Sequence, residues 1–522
     1  MTWSLENSKN NEAAKIRWAT VPYFHGRVLD IGCGPYKTFE HWIGVDNGHH
    51  WQGAGRATFV QSEANKLDLF TSQSCDAVFS SHLLEHFPYE EVPTVLTEWC
   101  RVIKQGGHLM LYLPDKDQYP EVGHKHANQD HKWNVDFAGV MAAMEKVSRG
   151  WDLIEYEVRS ERDEYSLWFV FKIEGKGHRQ SWKDPKPEKK AAIVRYGAIG
   201  DMIQMSSVLP GLKEQGFHIT LYCQSGPGYE IIKTDPHIDR FIIQGKDEIP
   251  PMLLKEFWDE TMKKYDRWIN LCESVEGTLL ASPGRTPFEW PNHIRAKFMD
   301  KNYLEHTHEL AGVPPPYRQK FYSTVDERAW ARKTAQNWGR KNILWSLAGS
   351  SGHKVWPHID PVVAQIMMAW KDVDVVFVGD SFCEILEVPW LEEPRVHCRS
   401  NKWTIRETMA FAEVADLIIG TETGVLNGAG MMDTPKIITL SHSSEEMLTK
   451  HWKNVTVLRQ PQGVGCPKQP CRQLHGANNT SPWLDCPQEQ ETGTSLCQFH
   501  VTPQVMWDAI ESVIDKRERM VA

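Results

Sequence analysis

Short apolar runs closed by a glycine or polar turn, each followed by a segment with helical spacing, recur along this chain. In the first third they are 26-GRVLDIGCGP-35, 42-WIGVDN-47, 75-CDAVFSS-81 running into 82-HLLEHF-87, and 98-EWCRVIKQGGHLMLYLPD-115. Runs that are apolar throughout rather than alternating predict strands covered on both faces, and their alternation with helices predicts a parallel α/β sheet. The pattern stops over 174-EGKGHRQSWKDPKPEKK-190, which has no hydrophobic period and the Lys, Pro and Gly content of a solvated linker. It then restarts. Strand, helix, strand, helix and strand are expected over 191-AAIVRYGAIGDMIQMSSVLPGLKEQG-216, 217-FHITLYCQSGPGYEII-232 and 235-DPHIDRFIIQG-245. A further such unit runs from 341-KNILWSLAGSS-351 through 373-VDVVFVGDSFCEIL-386 to 416-DLIIGTETGVLNGAGMMDTPKIITLS-441.

At 522 residues the chain is too long for one ordinary core. The divisions expected are a first domain over 1–173, the linker over 174–190, and two α/β halves over 191–325 and 326–522. A hydrophobic content of 41% with 24% charged residues fits a globular protein, and the net charge of -10 argues against a duplex nucleic-acid partner. The start, 1-MTWSLENSKNNEAAKIRW-18, lacks a basic segment followed by an apolar run, so a cytoplasmic location is expected. The basic linker reads as a tether, with peripheral contact to anionic lipid as the alternative. Four of the eleven cysteines, Cys466, Cys471, Cys486 and Cys497, are bunched as C-x4-C-x14-C-x10-C. Four thiolates suffice for zinc, but the paired C-x2-C knuckle is missing and no metal is assigned.

The Gly-x-Gly turn after the first strand lets backbone amides approach a ligand closely, and Asp46, ending the second strand, is placed to accept from a ribose diol. Three ordered motifs, 29-LDIGCG-34, 81-SHLLEH-86 and 101-RVIKQGG-107, resemble those of the class I S-adenosylmethionine-dependent methyltransferases. The resemblance implies a Rossmann-like fold in which Asp30, Gly32 and Gly34 line the methionine end of S-adenosyl-L-methionine, Asp46 holds the ribose and Glu63 faces the adenine. A dinucleotide reading fits less well, because Lys37 replaces the third glycine of G-x-G-x-x-G. Only eleven residues separate Gly34 from Asp46, so the usual first helix is expected to shrink to a turn. His124, His126 and His131 stand near the expected substrate mouth, where one of them could take a proton from an acceptor hydroxyl. As a metal set they lack a carboxylate or thiolate partner.

Two Rossmann-like halves in tandem make a cleft, with ligands beyond the carboxyl ends of the strands. The region from 191 to about 515 resembles glycosyltransferase family 9, the lipopolysaccharide heptosyltransferases of GT-B fold. The likeness rests on 195-RYGAIGD-201 with 209-LP-210 behind it, 354-KVWP-357, 417-LIIGTETGVLNGAGMMDTPKI-437 and the cysteine-bearing tail before 502-TPQVMWDAI-510. It implies inverting transfer from a nucleotide-diphosphate sugar, ADP-heptose-like, to a hydroxyl of a glycan or glycolipid, with Asp201 as general base. The alternative for Asp201 is a helix cap. The turn Thr421, Glu422, Thr423 and Gly424 opens a helix whose amides and dipole suit a phosphate, so no metal is required. Lys354 adds a positive charge, and Glu384 matches a family glutamate that holds the donor ribose. Glu422 stands where the family has Asp, and Asn427 where it has His, which puts the donor sugar in question more than the reaction. The expectation is a bifunctional enzyme of glycan assembly. Its rivals are a phage-type enzyme modifying a nucleobase or capsular sugar, and binding modules without turnover.

Overall fold

The apolar runs of the first half become strands β1 (Val28–Ile31), β2 (Ile43–Asp46), β3 (Phe59–Gln61), β4 (Cys75–Ser81) and β5 (Ile103–Pro114). The computed structural model describes residues 12–48, 59–160, 163–180, 189–245, 248–338, 341–349, 351–475 and 486–521, the last six without their side chains. With β6 (Gly150–Arg159), β7 (Ser166–Glu174) and β8 (Arg179–Gln180) these strands form one sheet of order β3-β2-β1-β4-β5-β7-β6-β8. β1 to β5 run parallel to one another, while β7 is antiparallel to both β5 and β6. All four residues of β1 are buried, as a strand flanked by packed layers on both faces requires. The helix Val92–Val102 covers the sheet with Val92, Val95, Leu96, Trp99 and Cys100, a helical stripe of spacing three and four. β1 reaches β2 without a helix, in agreement with the short spacing between Gly34 and Asp46. Because Ile31 pairs with Ser80, the loops that leave β1 and β4 emerge side by side.

The chain divides into two compact units, one of Met1–Lys186 with Gln244–Lys263 and one of Pro187–Ile243 with Lys264–Ala522. Two features lay outside the pattern of the sequence. The segment read as linker begins inside the first sheet, since Arg179 of β8 pairs with Trp151 of β6, and residues 181–188 lie outside the described ones. The helix Leu254–Met262, expected within 191–325, belongs to the first unit, where Phe257 packs on Trp18 with ring centroids 5.5 Å apart.

In the second unit β9 (Lys190–Val194), β10 (His218–Gln224), β11 (Arg240–Gln244) and β12 (Arg267–Asn270) form a sheet of order β11-β10-β9-β12. β13 (Lys341–Ser346), β14 (Val373–Val378), β15 (Val396–Cys398), β16 (Leu417–Thr421), β17 (Lys436–Thr439) and β18 (Val455–Leu458) form a fully parallel second sheet of order β15-β14-β13-β16-β17-β18. β9 and β13 each have parallel neighbours on both sides, so the loops leaving them sit at topological switch points, where such sheets bind ligands. The two halves are welded together. Val275, Leu279, Leu280 and Tyr303 share a core with Leu344, Ile418 and Leu426, and the amides of Ala281 and Leu474 exchange bonds of 2.8 Å with the carbonyls of Arg472 and Ala281. Among the described residues no helix is long and apolar enough to cross a membrane.

Candidate functional site

The loop after β9 carries Arg195 and leads into the helix Ile199–Ser206, whose third residue is Asp201. Its Oδ2 accepts the amide N–H of Ala198 at 2.8 Å, a bond of the kind that closes a capping box. Capping leaves the other oxygen in play: Oδ1 lies 2.8 Å from Arg195 Nη2. Arg195 is buried, and it also donates to the carbonyl of Leu271 at 2.9 Å and to both oxygens of Glu276 at 3.2 and 3.0 Å. Two carboxylates therefore share one guanidinium. Burial raises the Asp201 pKa, Arg195 opposes the rise, and the charge and hydrogen bond of Glu276 add to it. For Glu276 burial pulls upward too, but the hydrogen bond with Asp201 and the charge of Arg195 outweigh it and hold that carboxylate low. A carboxylate raised in this way is a stronger base than a free aspartate.

The facing half supplies the other members. Lys354, only 7% exposed, follows β13 and directs Nζ to the backbone carbonyl of Glu422 at 3.3 Å. A Cβ on Gly349 would lie 2.9 Å from Cδ of Lys354 and 3.0 Å from that carbonyl, so the loop needs glycine for the lysine to fold beneath it. Burial lowers the lysine's pKa, and the charges of Glu422, Asp201 and Glu276 pull it back up. The charge of Asp201 thus acts on the ammonium of the facing half. Thr423 caps the helix Gly424–Ala429 through its Oγ, which accepts from the Leu426 amide at 3.2 Å. Thr421 ends β16 with its hydroxyl on the Thr439 carbonyl at 3.4 Å. The two helix starts meet: a Cβ on Gly424 would stand 2.7 Å from Cβ of Ile199, and Gln204 Nε2 donates to Asn427 Oδ1 at 3.0 Å.

Glu422 is buried, and its extra methylene lets it reach the loop after β17. There it accepts from the hydroxyl of Ser441 and the amide of Ser443, the latter at 2.8 Å, and stands 3.1 Å from His442 Nδ1. Asn427 is spanned by Gln204 and Gln319 and donates to the Thr423 carbonyl at 3.0 Å. Glu384 is exposed at the start of the short helix Glu384–Glu387 and accepts from Asn401 Nδ2 at 3.5 Å. Its buried neighbour Glu387 instead holds the amide of Ser400 at 2.8 Å.

In the first unit Gly32 and Gly34 both take left-handed backbone, at φ +73° and +56°. A Cβ on Gly32 would meet the Leu83 side chain at 2.7 Å, whereas the side of Gly34 is open. Asp30 is buried and accepts the Thr38 amide at 2.7 Å, and its burial raises it to about 6. Asp46 accepts from the amides of Gly34 at 3.1 Å and Gly48 at 2.7 Å, tying the glycine turn to the end of β2. Glu63 is exposed beside Asn47, whose Nδ2 donates to it at 3.2 Å. His124 and His126 are exposed, while His131 is buried against Glu85.

Residues 29–111 match the family model described as a methyltransferase domain. The chain is 21% identical over 283 residues to lipopolysaccharide heptosyltransferase 1 of Campylobacter coli, covering 48% of this chain and 82% of that protein. The chain thus combines a stretch that matches a methyltransferase domain with similarity to a lipopolysaccharide heptosyltransferase. It is similar, too, to the solved structure of E. coli ADP-heptose lps heptosyltransferase II, with 12% identity, coverage of 63% and 99% of the two chains and a TM-score of 0.44. A SAM dependent methyltransferase from Archaeoglobus fulgidus aligns at 20% identity over 31% of this chain and 92% of that one, with a TM-score of 0.24.

Three groups of the site in the second unit are unmarked in the sequence. Glu276 and the Ser441–Ser443 loop belong to no motif, and Arg195 appeared only as the first letter of 195-RYGAIGD-201. The arginine, an ion placed six residues before a candidate base, was the one available signal. The tail cysteines are all free thiols, and Cys466, Cys471, Cys486 and Cys497 line one small cavity of about 10 Å³ together with His353, His442 and His475.

Proposed function

We propose that the second unit transfers a sugar from a nucleotide-diphosphate donor of the ADP-heptose kind to a hydroxyl of a glycan or glycolipid such as a lipopolysaccharide core, with inversion. The observation that carries this reading is the meeting of the two helix starts, Ile199 of the Asp201 helix against Gly424, with Lys354 on the carbonyl of Glu422 beside them. The acceptor oxygen attacks the anomeric carbon as its proton passes to Asp201, the bond to the diphosphate breaks, and the charge that develops there is met by Lys354 and the helix start at Thr423 and Gly424. Arg195 aims the base, and Glu276 keeps it basic. Incubation of the full chain with ADP-heptose and a truncated lipopolysaccharide acceptor is expected to release ADP and lengthen the acceptor. Sugar-nucleotide binding without release would leave a binding module in place of an enzyme.

The proton balance of this pair gives a pH test. Asp201 must be ionised to act, so the acidic limb of kcat follows its raised pKa, and activity grows as pH climbs through it. Glu276→Gln removes the like charge that holds Asp201 up, and the limb is expected to move to lower pH. A profile of kcat against pH for both proteins checks this, and an unmoved limb would separate Glu276 from the base.

For the first unit the proposed reaction is methyl transfer from S-adenosyl-L-methionine, with Asp30, Gly32 and Gly34 at the methionine end, Asp46 at the ribose and Glu63 toward the adenine. Gly32→Ala puts a Cβ on a left-handed residue, at a cost of about 1–2 kcal/mol, and against Leu83. Calorimetric titration is expected to show S-adenosylmethionine binding weakened about five- to thirtyfold, which is that cost expressed as affinity.

A further inference from the structure

Glu85 is fully buried at the carboxyl end of the sheet, and neither of its carboxylate oxygens has a hydrogen-bond partner. A carboxyl group buried with both oxygens unpartnered points to a ligand that meets it. What surrounds it is a set of imidazoles. His131 Nε2 lies 3.5 Å from Glu85 Oε1 and His82 Nδ1 lies 3.7 Å from it, while the rings of His86 and His131 are 5.2 Å apart. One ligand atom each from Glu85, His86 and His131 falls within 4.8 Å of the others. Imidazole nitrogens and a carboxylate oxygen gathered in this way are a ligand set for a metal ion.

The arrangement is built rather than incidental. His82 sits in left-handed backbone at φ +48°, with its amide on the Tyr112 carbonyl at 2.8 Å and its Nε2 on Ser166 Oγ at 3.0 Å, which turns Nδ1 toward Glu85. The histidine loop is clipped onto the carbonyls of the 84–86 turn, by the backbone N–H of Lys132 to Glu85 at 2.8 Å and by the indole N–H of Trp133 to Leu84 at 3.3 Å. Tyr119 closes one side of the His131 ring at a centroid distance of 5.2 Å.

We propose that Glu85, His86 and His131 bind a divalent first-row transition-metal cation. Two imidazoles and one carboxylate suit such an ion better than Mg²⁺ or Ca²⁺, which prefer all-oxygen sets, and three protein ligands leave coordination positions open. The site lies beside the glycine turn, because Gly32 abuts Leu83, two residues before Glu85. Resting on the reading of this unit as a methyltransferase, the cation gives the acceptor class as a hydroxyl compound, whose oxygen takes an open coordination position. The bound hydroxyl loses its proton to water, its oxygen forms the bond to the methyl carbon as the sulfur–methyl bond breaks, and S-adenosylhomocysteine leaves.

The probe is Mn²⁺, which thiolates bind weakly, so the tail cysteines do not compete. Titration of the metal-stripped full chain, followed by loss of the free Mn²⁺ electron paramagnetic resonance signal, is expected to show one site. Glu85→Gln weakens that site by more than about tenfold, and His131→Ala does the same, while both variants keep the wild-type affinity for S-adenosylmethionine as proof of fold. No binding to the wild type, or equal binding to wild type and both folded variants, overturns the proposal. If S-adenosylmethionine binds and Mn²⁺ does not, the cation is refuted and the methyltransferase reading stands; if Mn²⁺ binds and S-adenosylmethionine does not, the reverse holds.

Discussion

Asp201→Asn is expected to lower kcat for sugar transfer by about 10²–10⁴-fold, the usual contribution of a positioned general base, with little change in affinity for the nucleotide sugar. The substitution separates the two roles that the structure gives this residue. An asparagine oxygen can still accept the Ala198 amide, so the start of the helix Ile199–Ser206 stays capped. Arg195 loses one carboxylate but keeps the Leu271 carbonyl and Glu276, so it is not left unpaired in the interior. Stability should hardly move, which a thermal melt checks. Turnover should collapse, because a neutral amide cannot take the acceptor's proton. A variant with wild-type turnover would make Asp201 a cap and nothing more.

Lys354→Met is the second large effect, an expected fall of about 10²–10³-fold in kcat, comparable with removing one donor from a site that stabilises developing negative charge. Methionine is unbranched and flexible and so fits the space beneath Gly349, while the positive charge disappears. The ammonium's lowered pKa also predicts its own signature. The wild type should lose activity as pH rises through that pKa, since the neutral amine no longer supports the leaving diphosphate. This alkaline limb should be absent from the residual activity of Lys354→Met. Steady-state rates of ADP release over a pH series measure both effects, and an alkaline limb that survives in the variant would assign it to another group.

The parts of both sites that lie within one turn of the chain could be read from letters alone. The glycine turn after β1 is legible because only glycine takes its left-handed backbone freely, and the same holds for a capped helix start such as 421-TETG-424. Partners supplied by distant segments could not. Glu276 lies 75 residues beyond Asp201 in a loop of no recognisable pattern. It arrives beside Arg195 because β12 pairs with β9 in the register Asn270 to Val194, which carries the loop after β12 to the loop after β9. Glu384, legible only through its match to a family glutamate, stands exposed after β14, while the fold buries Glu387 one turn later.

His131 makes the same point in the first unit. Among 124-HKHANQDHKW-133 it looked like one of three equivalent loop histidines without a carboxylate, and the structure buries it alone of the three against Glu85, 46 residues upstream. The sequence by itself determined the alternation of strands and helices, the restart of the chain after a polar segment and the glycine turns, because periodicity and backbone preference act over a few residues. Tertiary structure alone decided which charges share a site, through strand register and the docking of loops, because a pKa or a ligand set depends on distances that no local pattern encodes.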